Sequence, residues 1–185
     1  MLGTMGPMAM QTAGEMKDRV VEAAKREEAA YSASGEVRPL GSFVGVMGVY
    51  SVVTVALGLV VRRRRALPVR FAAGDLALMA VATHRVSRLL SKDPVTSPLR
   101  APFTTLEGTT GPAELKEEVR GTGLRKAVGE LLTCPFCLAQ WVATAFAFGL
   151  VLAPRATRLV ASVFTTVAAA DVLQFGYAAI EERAS

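Results

Sequence analysis

Two cysteines three positions apart form the motif in this chain that is best suited to chemistry. Cys134 and Cys137 occur in the sequence Cys-Pro-Phe-Cys. Pro135 is typical of the first turn of a helix, so Cys134 is predicted to be the N-cap and the more exposed thiol. Three interpretations stay open: a membrane-surface dithiol that exchanges electrons, half of a metal site completed by a second copy of the chain, or two small residues packed at a helix start.

Ionisable residues within otherwise apolar stretches form a second candidate site, because a charge at membrane depth is costly unless it is paired or functional. His84 and Arg88 share a helix face, whereas Asp75 lies about 180° away round the same helix. A partner for His84 must therefore come from another helix. The patch handles protons or ions in one interpretation, and its cations simply lie at lipid headgroups in the other. It comprises Asp75, His84, Arg85, Arg88 and Asp171.

The composition indicates the elements that must position these residues. The hydrophobic fraction is 51%, yet the 185 residues include 21 Lys and Arg and 16 Asp and Glu, so the apolar residues must be segregated into blocks. A bilayer core requires about 20 helical residues to cross. Residues 43–61, 131–154 and 159–180 meet that length, while residues 71–90 are apolar only in their first half. One His and two Cys exclude a self-contained four-ligand zinc module and a disulfide-dense scaffold.

These blocks predict an all-α integral membrane protein with three or four spans. Residues 1–42 are predicted to be a charged N-terminal tail with a short helix, capped at Thr12 and not removed as a signal peptide, and residues 43–185 the helical membrane domain. A proline-rich loop follows residue 90, and its three prolines predict an extended chain over residues 91–103. A short charged helix is predicted over residues 113–120, and another helix over residues 124–133.

Basic residues near the apolar blocks bear on the orientation, because cytoplasmic loops retain Lys and Arg. A basic rim of four consecutive arginines, Arg62, Arg63, Arg64 and Arg65, closes the first block. Four crossings with the N-terminus inside leave fourteen basic residues in the cytoplasm and seven outside, and three crossings with the N-terminus outside leave the same numbers. The rim favours three crossings, and the charged tail favours four. Both models place residues 91–133 and the two cysteines on the cytoplasmic side.

Several separated motifs then carry a resemblance to a known family. They are Thr83–Leu90, Ser97–Phe103 and Gly129–Trp141. Over roughly residues 71–177 the chain resembles the bacterial membrane-protein family catalogued as domain of unknown function 1360. The resemblance implies a small integral membrane protein with relatives among sporulating bacteria, and it implies no catalytic residue or cofactor.

We therefore interpret the chain as a multi-pass component of the cell membrane that acts in interaction or assembly, linked to sporulation through that resemblance, and not as an enzyme. Its expected partners are anionic lipid headgroups and either a second copy or another membrane protein, with no nucleic acid and no cofactor. The competing interpretation is a membrane thiol oxidoreductase that uses Cys134 and Cys137, or a metal site shared between two copies.

Overall fold

The computed structural model describes residues 7–32, 38–64, 70–111 and 114–184. Its described part is mostly helical, with one small hairpin of two strands. A 3-10 turn at Pro94–Thr96 precedes α4. The helices are α1 (Pro7–Tyr31), α2 (Leu40–Arg63), α3 (Ala73–Lys92), α4 (Ser97–Arg100), α5 (Gly123–Thr133), α6 (Pro135–Leu152) and α7 (Pro154–Ala184), and the strands are β1 (Thr104–Gly111) and β2 (Glu114–Val119).

Three of the described helices, α2, α6 and α7, are long and apolar enough to cross a membrane. They correspond to the three apolar blocks predicted from the sequence. The second block begins later than expected, because residues 131–133 belong to α5 and the chain breaks at Cys134. Pro135 causes the break, since it lacks an N–H group and restricts Cys134 to an extended conformation, with φ −99° and ψ 106°.

The uncertain fourth stretch, residues 71–90, corresponds to α3, a helix of 20 residues. It packs between α6 and α7, and its Ala82 is fully buried with Val142 and Phe146 in the core cluster. A helix of that length spans about 30 Å, which matches the hydrocarbon thickness of a bilayer. Although α3 is the most polar of the four long bundle helices, it lies alongside α6 over most of its length.

Polar contacts fix the direction of each bundle helix. Asp75 near the start of α3 pairs with Arg158 near the start of α7, and Thr165 donates to the Leu78 carbonyl at 3.1 Å, so these two helices run parallel. α6 runs against α7, to which it is joined by a tight turn. Tyr50 of α2 bonds to Thr144 of α6 at 2.8 Å, while residues earlier in α2 lie beside the start of α6. The four helices therefore alternate in direction along the chain.

The bundle exposes many large apolar side chains on its outer surface. Val52 on α2 is 69% exposed and Leu173 on α7 is 74% exposed, while the small buried core holds Val142 and Phe146 beside Ala82. An exterior of this kind is the reverse of the arrangement in a water-soluble bundle, where the apolar stripe faces the core.

The hairpin corrects the expectation of an all-α chain and of a charged helix over residues 113–120. β1 and β2 pair antiparallel, with Thr104 opposite Val119 and Leu106 opposite Glu117. The alternate residues Leu115, Glu117 and Val119 are half-buried, whereas Lys116 and Glu118 are exposed. That period of two is the pattern of a strand with one covered face, and it overrides the helix propensity of Glu and Lys.

The proline-rich segment is also folded differently from the expectation of an extended chain. It forms the 3-10 turn and α4, each with a proline in its first turn, where a missing N–H group costs no hydrogen bond. At the other end of the chain, α1 begins at Pro7 and is longer than the short helix predicted. Thr12 lies within it, so Thr12 is not its cap.

Candidate functional site

Arg100 is the centre of a buried polar network at one end of the bundle. Its side chain is completely inaccessible to solvent. Nη1 donates to the Leu90 carbonyl at 2.8 Å and to the Thr96 hydroxyl at 2.8 Å, and Nη2 donates to the Asp93 carbonyl at 3.1 Å. Nε forms an ion pair with Glu117 on β2. One side chain therefore joins the end of α3, the 3-10 turn and the hairpin.

The carboxylate in this network is also held by a second group. The Thr104 hydroxyl donates to the Arg100 carbonyl at 3.0 Å and lies 3.3 Å from Glu117 Oε1. A buried ion pair is tolerated only when its remaining donors and acceptors are largely satisfied, and here two backbone carbonyls and the Thr96 hydroxyl accept hydrogen bonds from Arg100. The network thus fixes the positions of α3, the 3-10 turn and the hairpin relative to one another.

Residues 93–111 and 114–133 form a folded unit that we call the cap. Arg88 on α3 pairs with Glu114 on β2, and Arg125 on α5 donates from Nε to the Pro102 carbonyl at 2.9 Å. α5 also lies directly on the hairpin, because a Cβ at Gly129 would be 2.6 Å from Val119 Cγ1. The cap is consequently attached to α3 of the bundle, and α5 packs on the hairpin within the cap.

Arg100 was missed as a site residue by the sequence reasoning. A single arginine among prolines is indistinguishable from a solvated loop residue when only composition is considered. The available signal was its position in Ser97–Phe103, one of the motifs that carry the family resemblance.

The predicted polar patch is divided by the structure into separate ion pairs. Arg85 lies 3.0 Å from Asp93 Oδ2 and 2.9 Å from Asp171 Oδ2, so it joins α3 to both the cap and α7. His84 is exposed and lines a small hollow of about 230 Å³ beside Phe136. Asp171, a member of the predicted patch on another helix, contacts Arg85. A role in handling protons or ions stays a prediction.

Asp75 and Arg158 form a two-pronged ion pair at the opposite end of the bundle, with both N···O distances 2.8 Å. Replacing Asp75 with Asn is expected to lower the thermal midpoint of the protein in detergent, because Arg158 loses its charged partner. Thermal unfolding measures this loss, and adding Arg158→Gln should recover part of it. Arg155→Gln, on an exposed arginine in the same turn of α7, should have little effect. Equal losses from Asp75→Asn and from the control Arg155→Gln would contradict the pairing.

The exposed part of the hairpin carries its own ion pair. Lys116 Nζ lies 2.8 Å from Glu107 Oε2. The hydrogen bond and charge of Lys116 lower the pKa of the Glu107 carboxyl, and Glu107 in turn raises the pKa of Lys116. A lowered carboxyl pKa contributes stability that is present at neutral pH and is lost as the pH falls through the folded pKa of Glu107.

A cleft of about 720 Å³ separates α2 from α5 and the start of α6. Its walls are mainly apolar, with Phe43 and Met47 on one side and Leu131 and Trp141 on the other. Trp141 also packs edge-on against Tyr50, with ring centroids 5.0 Å apart. The volume lies within the range of about 300–1,000 Å³ that is typical of small-molecule sites.

Both cysteines line this cleft and both are free thiols. Cys134 is the N-cap of α6, as predicted, and its Sγ accepts a hydrogen bond from the Cys137 amide at 3.2 Å. Cys134 is half-buried and Cys137 is exposed, so the expectation that Cys134 would be the more exposed residue is wrong. The reason is that Sγ of Cys134 turns back over the first turn of the helix to act as its cap.

We expect Cys137 to react first with a maleimide, because alkylation of Cys134 requires its sulfur to leave the cap. Single variants Cys134→Ser and Cys137→Ser allow each remaining thiol to be timed separately in detergent. Labelling of the chain that retains Cys137 should be severalfold faster. A faster reaction of Cys134 would contradict the capped geometry.

The described residues contain no cluster of three or more His, Cys, Asp and Glu side chains that could hold a metal ion within one copy. The shared site between two copies therefore stays a prediction. Of the basic rim, Arg62 and Arg63 end α2 and Arg64 follows as its C-cap, while Arg65 lies outside the described residues.

These features define a class of protein in which a bundle of mainly apolar helices, alternating in direction, carries an ion-paired cap at one end. The chain belongs to the family described as Protein of unknown function (DUF1360), whose model matches residues 78–177. The match runs from α3 to α7 and includes Arg100 and both cysteines, which confirms the resemblance inferred from the motifs.

A curated relative is similar over part of this region. The chain is 35% identical over 71 residues to the protein named Sporulation protein YjcA of Bacillus subtilis (strain 168), which covers 37% of this chain and 60% of the relative. The chain thus spans about 60% of the length of the curated relative it matches. No solved structure matches the chain.

Proposed function

We propose that this protein is a multi-pass membrane protein in which α2, α3, α6 and α7 all cross the bilayer. The outward apolar side chains of α2 and α7 support this proposal, because burying such surfaces in lipid is favourable and exposing them to water is costly. The alternating helix directions and the packing of α3 between α6 and α7 support four crossings over three.

Carbonate washing should leave the protein in the membrane pellet, and its release into the supernatant would contradict the proposal.

The proposed orientation has the N-terminus and the cap in the cytoplasm. Four crossings place α1, the cap and the end of α7 on one side, together with fourteen of the 21 Lys and Arg. The positive-inside rule favours that side as the cytoplasm. The basic rim would then lie at the outer end of α2. It comprises four arginines, Arg62, Arg63, Arg64 and Arg65, and the basic residues of the cap and tail on the cytoplasmic side outnumber them.

We further propose that the protein acts as an interaction or assembly component that presents the cap at the membrane surface. The observation that carries this proposal is the buried Arg100 network, which holds the hairpin in one orientation relative to the spans. A rigid surface of fixed orientation suits recognition of another protein, since little ordering entropy is lost on binding. The name of the Bacillus subtilis relative supports a link to sporulation.

Recovery of the protein from native membranes tests this function. After crosslinking in intact cells, the tagged protein should carry a membrane partner or a second copy at fixed stoichiometry. Arg100→Ala should abolish that complex while the protein remains in the membrane, whereas Arg120→Ala should preserve it. A monomer without a partner, or a complex that survives Arg100→Ala, would contradict the assembly role.

The competing proposal is a membrane thiol oxidoreductase. It is favoured by the position of Cys134 and Cys137, two free thiols together on the wall of the cleft. In Cys137→Ser, the Cys134 thiolate should attack a disulfide of the partner and release one partner sulfur as a thiolate, which leaves a trapped mixed disulfide between Cys134 and the other partner sulfur. If Cys134→Ser/Cys137→Ser retains the normal complex and Cys137→Ser yields no trapped species, the redox proposal is wrong.

A further inference from the structure

One face of α6 carries a line of chemically different side chains. Its members recur at intervals of three or four residues, so they share one side of the helix: Cys137, Gln140, Trp141 and Thr144. Tyr50 of α2 lies opposite, because its hydroxyl is 2.8 Å from Thr144 Oγ1 and accepts a hydrogen bond from Gln140 Nε2 at 2.6 Å. The cleft thus brings a thiol, an amide and an indole ring together.

The remaining walls of the cleft are mainly apolar. They come from Phe43, Val46 and Met47 on α2 and from Leu131 on α5. Gln140 adds a polar group that can bind a ligand. One of its N–H groups goes to Tyr50, and within the described part of the chain its other N–H and its side-chain carbonyl have no partner. Small-molecule sites have this form, with apolar walls and a few polar groups that fix the orientation of the ligand.

The two thiols can give up two electrons together. Both are free, and Cys134 Sγ lies 3.2 Å from the amide nitrogen of Cys137. Residues three apart in the first turn of a helix have Cα atoms within about 6 Å of each other, a separation that a disulfide can span. Forming the S–S bond requires the Cys134 sulfur to leave its capping position and turn toward Cys137. The reaction releases two electrons and two protons.

The acceptor for these electrons must satisfy two conditions. It must take up two electrons and two protons, and it must be apolar enough to enter between the walls of the cleft. A quinone of the kind that dissolves in membranes satisfies both conditions, since its carbonyl oxygens become hydroxyls on reduction and its ring and tail are apolar. The flat ring also suits packing against an aromatic side chain such as Trp141.

We propose that the cleft binds a membrane quinone and that Cys134 and Cys137 reduce it to the quinol. Both S–H bonds break, one S–S bond forms, and two electrons and two protons pass to the quinone, whose two carbonyl oxygens become hydroxyls. The ring lies against Trp141, and the Gln140 amide donates to one carbonyl oxygen. Small thiols of the cytoplasm then return the disulfide to the dithiol by exchange. This inference rests on the proposed membrane placement, and it goes beyond the assembly role because it needs no protein partner.

Fluorescence quenching tests the binding step, because Trp141 on the cleft wall is the single tryptophan of the chain. The full protein is reconstituted in liposomes and titrated with a fully substituted benzoquinone that carries a decyl tail, whose ring has no open carbon for a thiol to attack. Quenching of Trp141 should saturate as the cleft fills. Quenching that only rises in proportion to the added quinone would show simple partition into lipid and would overturn the site.

The electron transfer is measured in the same liposomes without oxygen. The reduced protein should lose both thiols and form one equivalent of quinol, followed by thiol counting and by the absorbance of the quinone. Cys134→Ser and Cys137→Ser should each keep the saturable quenching and form no quinol, because one thiol cannot close a disulfide within the chain. Quinol formation by either single variant, or none by the parent protein, would contradict the proposed reaction.

Three further variants locate the bound quinone. Val46→Phe fills the cleft and should weaken the saturable quenching and slow quinol formation by about tenfold, an effect within the usual cost of overpacking. Gln140→Leu removes the amide at similar volume and should weaken binding as well. Val52→Phe, on an exposed face of the same helix, should change neither quantity. Equal quinol formation by Val46→Phe, Gln140→Leu and Val52→Phe would show that the thiols react outside the cleft and would overturn the site.

Flotation of the liposomes separates this inference from the proposed function. Protein that floats with the liposomes but neither binds nor reduces the quinone is a membrane protein without the proposed site. Protein that does not float would overturn both the membrane placement and the quinone site.

Discussion

Replacing Arg100 with Ala is expected to lower the free energy of unfolding of the cap by about 3–5 kcal/mol. The substitution leaves the Glu117 carboxylate buried beside Thr104 without its cation, and breaking a buried pair in this way is among the most destabilising single changes. The carbonyls of Leu90 and Asp93 lose their donor as well. Hydrogen exchange of the β1 and β2 amides in detergent measures the effect, which should appear as a large loss of protection confined to the cap.

Arg120 provides a matched control in the same part of the chain. It is an arginine of the cap whose Nη2 donates to the Ala101 carbonyl at 2.8 Å from an exposed position. Arg120→Ala should therefore cost no more than about 1 kcal/mol, the net contribution of an exposed hydrogen bond. Equal protection of the hairpin in the two variants would show that the buried network does not hold the cap.

Replacing Ala82 with Phe is expected to disrupt the packing of α3 against α6 and α7. Ala82 is fully buried at the point where Val142 and Phe146 meet α3, and no space is left for a ring. Overpacking a close-packed core costs about 1–3 kcal/mol, and more where the neighbours cannot move. The thermal midpoint in detergent should fall, and the protein should become more sensitive to proteolysis between α3 and α7.

The neighbouring Val81 supplies the control for this variant. Val81 is 40% exposed on the outward side of α3. A larger apolar side chain there would extend into lipid or detergent, so Val81→Phe should leave the thermal midpoint nearly unchanged. If Ala82→Phe is tolerated as well as Val81→Phe, α3 is not an integral part of the bundle.

The apolar helices were predictable because their length and composition are local properties of the sequence. The break at Pro135 was visible as well, since the proline identified Cys134 as the cap. The prediction that residues 131–133 belong to the next span was wrong, because it was based on composition alone. Leu131 and Leu132 are as apolar as the span itself, so only the restriction that Pro135 imposes on the backbone separates the two helices.

The hairpin and the Arg100 network were not predictable in the same way. Glu114–Val119 contains residues that favour a helix, and it becomes a strand because Glu117 meets Arg100 and Glu114 meets Arg88. Those partners lie 17 and 26 positions away in sequence. The stability of the strand therefore comes from tertiary contacts, which local propensity does not contain.

Site-directed labelling gives the most direct test of the central claim, that four helices cross the membrane and leave the N-terminus and the cap together in the cytoplasm. In a chain carrying Cys134→Ser and Cys137→Ser, single cysteines are introduced by Ala23→Cys in α1, Thr105→Cys in the cap, Arg70→Cys before α3 and Ala153→Cys between α6 and α7. Each is treated with a membrane-impermeant maleimide in intact cells and in inverted vesicles.

We expect the cysteines at positions 23 and 105 to be labelled in inverted vesicles only, and those at positions 70 and 153 in intact cells only. Labelling of position 23 from outside while position 105 stays inside would contradict it, because α3 would then not cross the bilayer. Labelling of position 105 from outside would overturn the cytoplasmic location of the cap itself.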